Sequence, residues 1–408
     1  MTKTGEAQGN GKRPLRVLMI APTSFFSDYG GHIRILEETR ALQELGHKVV
    51  IVTYYKGSDM PGLDIRRTAR LPWHTEYEVG SSRHKIAFDL FLAAQSVREG
   101  LRVQPDIIHG HMHEGALIGG VLSRLLGVPL LFDFQGSMSS EMVDHGFLAR
   151  DSHFYSAARR LELLINNRLP QAILTSSYLA AQLLQDEFGA DPALIHPLPD
   201  CADTDRFHPD LLDEAQKQRL KQQLGIPADR LIVAYLGLLT DYQGTSYLID
   251  AAARLKAAGE AIHFLVMGYP NVEHYRAEAA RAGVEDTMTF TGKIEYRDAA
   301  RYLALGDIAV APKLSATEGS GKILNYMAMA QPVVAFDTPV SREFMAGWGV
   351  YAPAGDGERF TAAIRDLAHD PARRQELGRQ LRLRAIETYS WRQAAERIQA
   401  IYYLLTKA

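Results

Sequence analysis

Lys322 closes a glycine-rich run, Thr317-Glu-Gly-Ser-Gly-Lys322, that passes straight into Ile323-Leu-Asn-Tyr-Met-Ala-Met-Ala-Gln-Pro-Val-Val334. The second segment is rich in helix formers, Pro332 stops it, and the β-branched pair Val333 and Val334 opens a buried strand. Unbonded backbone N–H groups at such a helix start attract a phosphate, and the Lys322 ammonium adds a full charge beside them. The pattern suits a phosphorylated ligand held by Ser320, Gly321, Lys322, Ile323 and Leu324. An ordinary helix start with a solvated lysine is the plainer alternative.

Other residues invite chemical readings of their own. Gly30 and Gly31 remove side chains just before a helix, where a backbone can approach a phosphate closely or simply turn. No G-x-G-x-x-G occurs there, which argues against a dinucleotide oxidoreductase. His109, His111 and His113 alternate, so on a continued strand they would share one face with Glu114 beside them. Imidazoles and carboxylates bind zinc, but this spacing at a strand end is no recognised ligand pattern, and no catalytic metal is expected. One of these histidines is expected to line a ligand cleft and the others to satisfy local backbone. Asp203-Thr-Asp205 spells a metal-type D-x-D, yet in a connector it reads as turn capping. Gly268 ends an apolar run, where a nucleotide can approach the backbone.

These residues need a scaffold, and the chain supplies alternating strands and helices. Arg16–Ala21, Lys48–Thr53, Asp106–His109, Leu130–Asp133 and Ala172–Thr175 read as buried strands separated by helical sequence. A proline-rich passage, Pro197–Pro209, interrupts the rhythm. It then restarts with Leu231–Leu236, His263–Met267, Met288–Phe290, Ile308–Ala311 and Pro332–Ala335. Continuous apolar strands with helical crossovers imply parallel sheets covered on both faces. The expected organisation is a disordered tail over 1–14, a doubly wound domain over 15–200, a second over 201–388, and a last helix over 389–408. Two such domains facing each other place ligands in a cleft at the carboxyl ends of their strands.

Size and charge fit that plan. The chain has 408 residues, 46% of them hydrophobic, enough for two ordinary cores. A net charge of −3 without a long basic run argues against nucleic acid as a partner. The single cysteine, Cys201, cannot form an internal disulfide, which fits a reducing cytoplasm. No apolar run approaches the roughly 18 residues needed to span a bilayer. Arg66, Arg67, Arg70, Trp73, Arg83, Lys85 and Phe88 form a basic, aromatic segment, diluted by Glu76, Glu78 and Asp89. It reads as a solvated face, with peripheral contact to anionic lipid, at the inner side of a membrane, as the alternative.

From residue 15 to 405 the order of these motifs resembles the retaining family-4 glycosyltransferases, which have the two-domain GT-B fold. Asp28-Tyr-Gly-Gly-His32 is similar to that family's glycine-pair loop, and Pro105-Asp-Ile-Ile-His-Gly-His111 to its strand end. Pro199-Asp-Cys-Ala-Asp-Thr-Asp-Arg-Phe207 looks like its crossing between domains, and Asp356 and Tyr389-Ser-Trp391 also match. In the family the final helix returns to the first domain. The resemblance implies a nucleoside diphosphate sugar as donor, a glycan, lipid-linked or small-molecule acceptor, and no cofactor or metal. It places Gly30, Gly31, Gly237, Gln243, Gly268, Lys293, Ile294, Ser320, Gly321, Ile323, Leu324 and Asn325 against the nucleotide sugar. His111, His113, Gly136 and Ser137 fall on the acceptor side.

Departures from the family pattern are specific. Gln135 stands where "T-x-H-G" has its histidine; an amide hydrogen-bonds but does not shuttle protons near neutral pH. In Gly237-Leu-Leu-Thr-Asp-Tyr-Gln-Gly244, Leu238 and Gln243 replace the arginine and lysine that grip the diphosphate. Two charge-assisted contacts of about 1.5–3 kcal/mol each would be lost, and Lys322 is the candidate to restore one. Asn325 falls on the ribose-binding glutamate, and Glu318 sits one residue closer than usual, where it is expected to meet the donor sugar. Ser137 and Glu141 read as helix capping before acceptor contact.

The reading is a cytoplasmic GT-B hexosyltransferase of polysaccharide or glycoconjugate biosynthesis, retaining and metal-independent, with Glu318, Lys322 and Gln135 at the reaction centre. Its rivals are a degenerate sugar-nucleotide-binding or partner protein, kept in view by Leu238 and Gln243, and a nucleotide-sugar epimerase, weakened by Gln135.

Overall fold

The computed structural model of the chain describes residues 13–26, 30–70, 85–144, 149–314 and 320–407. It divides into two compact units: residues up to Leu198 together with those from Ala394 onward, and Pro199–Gln393.

The first unit is a seven-stranded sheet of β1 (Arg16–Ala21), β2 (Lys48–Thr53), β3 (Asp64–Arg67), β4 (Ile107–His111), β5 (Leu130–Phe134), β6 (Ala172–Thr175) and β7 (Ile195–Pro197). Its order is β3-β2-β1-β4-β5-β6-β7, and every pairing is parallel. The crossovers are α1 (Gly30–Glu44), α2 (Lys85–Val103), α3 (Met112–Leu126), α4 (Met138–Asp144), α5 (His153–Arg168) and α6 (Tyr178–Phe188). Because helices cover both faces, strands such as Val17-Leu-Met-Ile20 are fully buried and uniformly apolar.

The second unit repeats the plan. Its sheet contains β8 (Leu231–Leu236), β9 (Ile262–Met267), β10 (Met288–Gly292), β11 (Ile308–Ala311), β12 (Val333–Phe336) and β13 (Val350–Ala352), ordered β10-β9-β8-β11-β12-β13 and again parallel. Its helices are α7 (Glu214–Gln223), α8 (Thr245–Ala257), α9 (Val272–Arg281), α10 (Tyr296–Leu303), α11 (Gly321–Ala328), α12 (Pro339–Met345), α13 (Gly357–His369) and α14 (Pro371–Thr388). Asp356 caps α13 by accepting from Arg359 N at 2.9 Å. The last helix, α15 (Trp391–Thr406), binds residues of the first unit along its second half. There Tyr402 Oη lies 2.8 Å from His109 Nδ1 and Gln399 Nε2 3.0 Å from His47 Nε2.

Two local outcomes differ from the sequence expectation. The strand expected over Asp106–His109 runs instead from Ile107 to His111. Asp106 precedes it and accepts from Arg16 N at 2.8 Å, holding the neighbouring strand start. The histidine run does not continue as a strand: Met112 turns at φ 55° and α3 begins, so His113 leaves the face shared by His109 and His111. The short strands β3, β7 and β13 carry too little apolar pattern to announce themselves. Among the described residues no helix is long and apolar enough to cross a membrane.

The turn from β4 into α3 is closely packed. A Cβ at Gly115 would lie 2.6 Å from Ile20 O, a backbone atom of β1. Gly115→Ala must therefore push helix from sheet. A loss of about 1–3 kcal/mol is expected, read as a lower urea midpoint at unchanged m-value.

Candidate functional site

Parallel topology sends the loops after β8, β9, β10 and β11 from one edge of the second sheet, where the sequence placed its phosphate-binding residues. Lys322 lies in the first turn of α11 and reaches the β8 loop. Its Nζ donates to Gln243 Oε1 at 2.8 Å and to the Tyr235 hydroxyl at 3.1 Å, and sits 4.3 Å from the Tyr235 ring centroid. Gly237 makes this reach possible, since a Cβ there would stand 2.7 Å from Lys322 Nζ. Gly237, Gln243 and Lys322 thus form one contact set.

Lys322 is half-buried and its ammonium is bonded on two sides, so it is not a solvated side chain. Both bonded partners are neutral, and among the described residues no carboxylate pairs with it. Burial first, and the nearby Lys313 charge second, push Lys322 well below the usual lysine range. Helix α11 is pinned to β8 by Tyr326, whose hydroxyl accepts from Leu236 N at 2.7 Å. Ile323 and Leu324 are fully buried, leaving only their backbone for a ligand, and Asn325 is nearly so. Ser320 precedes the helix with a buried Oγ that has no hydrogen-bond partner among the described residues. Among the described residues nothing lies within 4 Å of a Cβ added at Gly321.

The neighbouring loops fit around this set. A Cβ at Gly268 would fall 2.0 Å from Gly237 O, so the close approach this glycine permits is to the chain's own backbone. Lys293 and Ile294 follow β10, with Lys293 Nζ 5.3 Å from the Tyr269 ring centroid. Asp203 accepts from Arg206 N at 2.9 Å, closing the turn expected of it. Glu318, with Thr317, lies outside the described residues.

At the matching edge of the first sheet, Arg34 occupies the centre of a buried network. Its Nη2 is 2.8 Å from Asp133 Oδ1 and its Nε 3.1 Å from Glu38 Oε1. Asp133 also accepts from Gln135 Nε2 at 2.8 Å and lies 3.0 Å from His111 Nδ1. Burial alone would raise the Asp133 carboxyl; the Arg34 charge and the His111 bond hold it far below the usual range instead. Glu38, His109, His111 and Asp133 are donor types that bind divalent cations. Arg34 already supplies the positive charge against both carboxylates. His109 stacks on His111 with centroids 4.5 Å apart, and His113 packs on Phe132 and Phe134 with Nε2 3.4 Å from Glu162. All three histidines are buried and meet side chains, where the sequence suggested a cleft and local backbone.

Gln135 turns its Oε1 toward Gly31, where an added Cβ would lie 2.9 Å away, so the two loops meet. Among the described residues nothing lies within 4 Å of a Cβ added at Gly30 or Gly136. Ser137 accepts from Ser140 N at 3.3 Å, the capping role expected of it. Glu162 completes the start of α4 by accepting from Met138 N at 2.9 Å. The basic segment is largely engaged internally: Arg66 pairs with Asp64, Arg67 bonds Phe25 O and Lys56 O, and Lys85 pairs with Glu114. Trp73 and Arg83 lie outside the described residues. Sequence reasoning missed Arg34, Glu38, Tyr235, Lys313 and Tyr326, because no short motif carries them.

Comparison with known proteins agrees with this architecture. Residues 30–206 match the model described as Glycosyltransferase Family 4, and residues 230–370 that described as Glycosyl transferases group 1. A 2-deoxystreptamine glucosyltransferase of Streptomyces kanamyceticus is 27% identical over 74% of this chain and 80% of its own length. A D-inositol 3-phosphate glycosyltransferase of Geodermatophilus obscurus is 25% identical over 92% and 85%. Anabaena Alr3699/HepE, solved with UDP and glucose, shares the fold at TM-score 0.77 and 15% identity, covering 96% of this chain and all of that one. Fold and matches define a glycosyltransferase built on the GT-B plan. Within that class, the chain belongs to the family-4 type.

The buried histidines set a pH dependence. Burial first, then the neighbouring His111, pushes His109 well below the usual imidazole range. Below about pH 6.5 the unfolded chain takes up a proton that folded His109 refuses, so stability falls as pH falls. Asp89, pushed up to about 7 mainly by burial, acts with the opposite sign, because its protonated form is favoured in the fold. The difference between proteins isolates the histidine. In His109→Asn, the drop in Tm between neutral pH and about pH 5 is expected to shrink relative to wild type, measured by thermal denaturation across pH.

Proposed function

We propose that this glycosyltransferase moves a hexose from a nucleoside diphosphate donor to an acceptor hydroxyl, with retention and without a metal ion. The observation that carries the reading is Lys322: an enclosed ammonium with neutral bonded partners, beside Gly237 and at the start of α11. A diphosphate would supply the negative charge that no described residue offers Lys322 and accept from the amides of the helix start. HepE has been solved with UDP and with UDP-glucose, and the relative from Streptomyces kanamyceticus is named for glucosyl transfer, which supports a hexose donor.

In the proposed step the acceptor oxygen attacks the anomeric carbon on the face from which the diphosphate leaves. The carbon–oxygen bond to phosphate breaks and its electron pair stays on the phosphate oxygen. That oxygen takes the acceptor proton, so no protein base is required. Lys322 stabilises the charge that grows on the leaving group. Gln135 orients by hydrogen bonding, Asn325 is assigned to the ribose hydroxyls and Glu318 to those of the sugar. Gly136 and Ser137 are assigned to the acceptor.

Calorimetric titration with UDP, GDP and ADP tests the reading. One diphosphate should bind selectively, and Lys322→Ala should weaken it about 10–100-fold, as for loss of one charge-assisted contact. Because Lys322 is held below its ordinary range, binding should take up a proton and weaken as pH rises, visible as buffer-dependent heats. If no diphosphate binds at millimolar concentration, the reading fails and a partner protein without transferase activity takes its place.

A further inference from the structure

Asp133 is fixed in the fold before Gln135 is considered. Its Oδ1 accepts from Arg34 Nη2 at 2.8 Å and its Oδ2 from Arg34 Nε at 2.9 Å, with His111 Nδ1 3.0 Å away. Arg34 is itself held by Glu38 at 3.1 Å and by Leu198 O at 3.1 Å. Asp133 is fully buried, and the Arg34 charge keeps it ionised.

A primary amide has a donor side and an acceptor side, and the way it lies decides what it recognises. An ionised carboxylate only accepts, so Asp133 Oδ2 takes the N–H side of Gln135, with Nε2 at 2.8 Å. The carbonyl side must then point away from the carboxylate. It lies toward the start of α1, where a Cβ at Gly31 would be 2.9 Å from Gln135 Oε1. Among the described residues this oxygen accepts no hydrogen bond. Gln135 is half-buried and its neighbour Gly136 is exposed, as is Gly30 beside Gly31, so the oxygen lies at an accessible edge rather than in the core.

An acceptor directed outward, with no donor in the fold, suits a ligand group that donates. We propose that Asp133 is a positioning residue: by holding the Gln135 N–H side inward, it presents the carbonyl oxygen to a hydroxyl of the transferred sugar. A sugar with a hydroxyl at that place is taken; a carboxylate, a fluorine or bare carbon leaves the oxygen without a donor and is disfavoured. This role rests on the donor reading of Gln135 and adds to it the direction of the amide and the residue that sets it.

Calorimetry tests this with the diphosphate that the titration selects, its glucose form, and analogues carrying fluorine in place of each sugar hydroxyl in turn. Fluorine fills the same place but donates nothing. One analogue should bind wild type about tenfold more weakly than the parent sugar, because the oriented oxygen is left without its donor. Gln135→Leu should erase that penalty. Asp133→Thr, which installs the residue of the T-x-H-G pattern, sets a hydroxyl that both donates and accepts beside the amide, so its direction is no longer imposed. The penalty should then fall to about threefold while the free diphosphate binds as before. A carboxylate that only supports the fold would instead weaken every sugar form alike and leave their ratio at the wild-type value. Should Asp133→Thr not fold, the wild type answers through nitrogen-labelled glutamine. The Gln135 side-chain signal, identified by its loss in Gln135→Leu, should show one N–H protected from exchange with and without the sugar. A fluorine penalty absent from wild type or unchanged in Asp133→Thr, or an N–H protected only when the sugar binds, would overturn the proposal. If no diphosphate binds at all, the donor reading fails and this role falls with it.

Discussion

An enclosed positive charge must find negative charge, and the two units of this protein meet that constraint in opposite ways. Arg34, at the carboxyl edge of the first sheet, lies against the carboxylates of Asp133 and Glu38 and also donates to Leu198 O at 3.1 Å. Its requirement is met within the fold, and removing either side would strand a buried charge at a cost of about 3–5 kcal/mol. Lys322, at the corresponding edge of the second sheet, is bonded to a phenol and an amide carbonyl, with Lys313 adding like charge nearby. The first network is complete within the fold; among the described residues no carboxylate meets Lys322, and that is where the proposed donor would place its negative charge.

Both arrangements follow from the parallel sheet. Strands buried on two faces carry few polar side chains in their middle, and those present are bonded, as His109 is to Tyr402, so polar groups collect where strands end and helices begin. Asp133 and His111 are near the ends of β5 and β4, and Arg34 reaches them from the second turn of α1. Tyr235 is near the end of β8, and Lys322 reaches it from the first turn of α11. The glycines serve the same geometry: Gly237 leaves room for the Lys322 ammonium, and Gly268 leaves room for Gly237.

Much of this was legible from residues alone, and the reason for each gap is physical. Long apolar runs such as Arg16–Ala21 and Leu231–Leu236 define strands because nothing else buries a continuous apolar segment of that length. The glycine-rich start of α11 announced itself through local chemistry. By contrast, Arg34 and Asp133 are 99 positions apart, and Tyr326 and Leu236 are 90 apart. Pairs so distant leave no periodic trace in one sequence. The fate of His113 turned on one backbone angle at Met112, which alternation of residue types does not encode. Gln135 was read as a replaced histidine; that its amide joins Asp133 to the Gly31 turn emerges only when the loops are folded together.

The replacements at 238 and 243 then take on a different meaning. Reading position by position, Leu238 and Gln243 are losses of charge. In the folded unit, Gln243 keeps a role: its Oε1 receives Lys322, so the amide positions a cation carried by another element. On the proposed reading, the charge that the family pattern carries in a loop is supplied here from the first turn of a helix, where backbone amides add to it. Such a transfer needs a side chain long enough to cross the loop and a glycine to cross over, and Lys322 with Gly237 meets both conditions. A lysine in a short helix pinned by Tyr326 is also more constrained than one in a loop, so less side-chain freedom is lost when an anion arrives. Counting basic residues in the loop motif therefore underestimates the positive character of this edge, because the motif is local and the field is not.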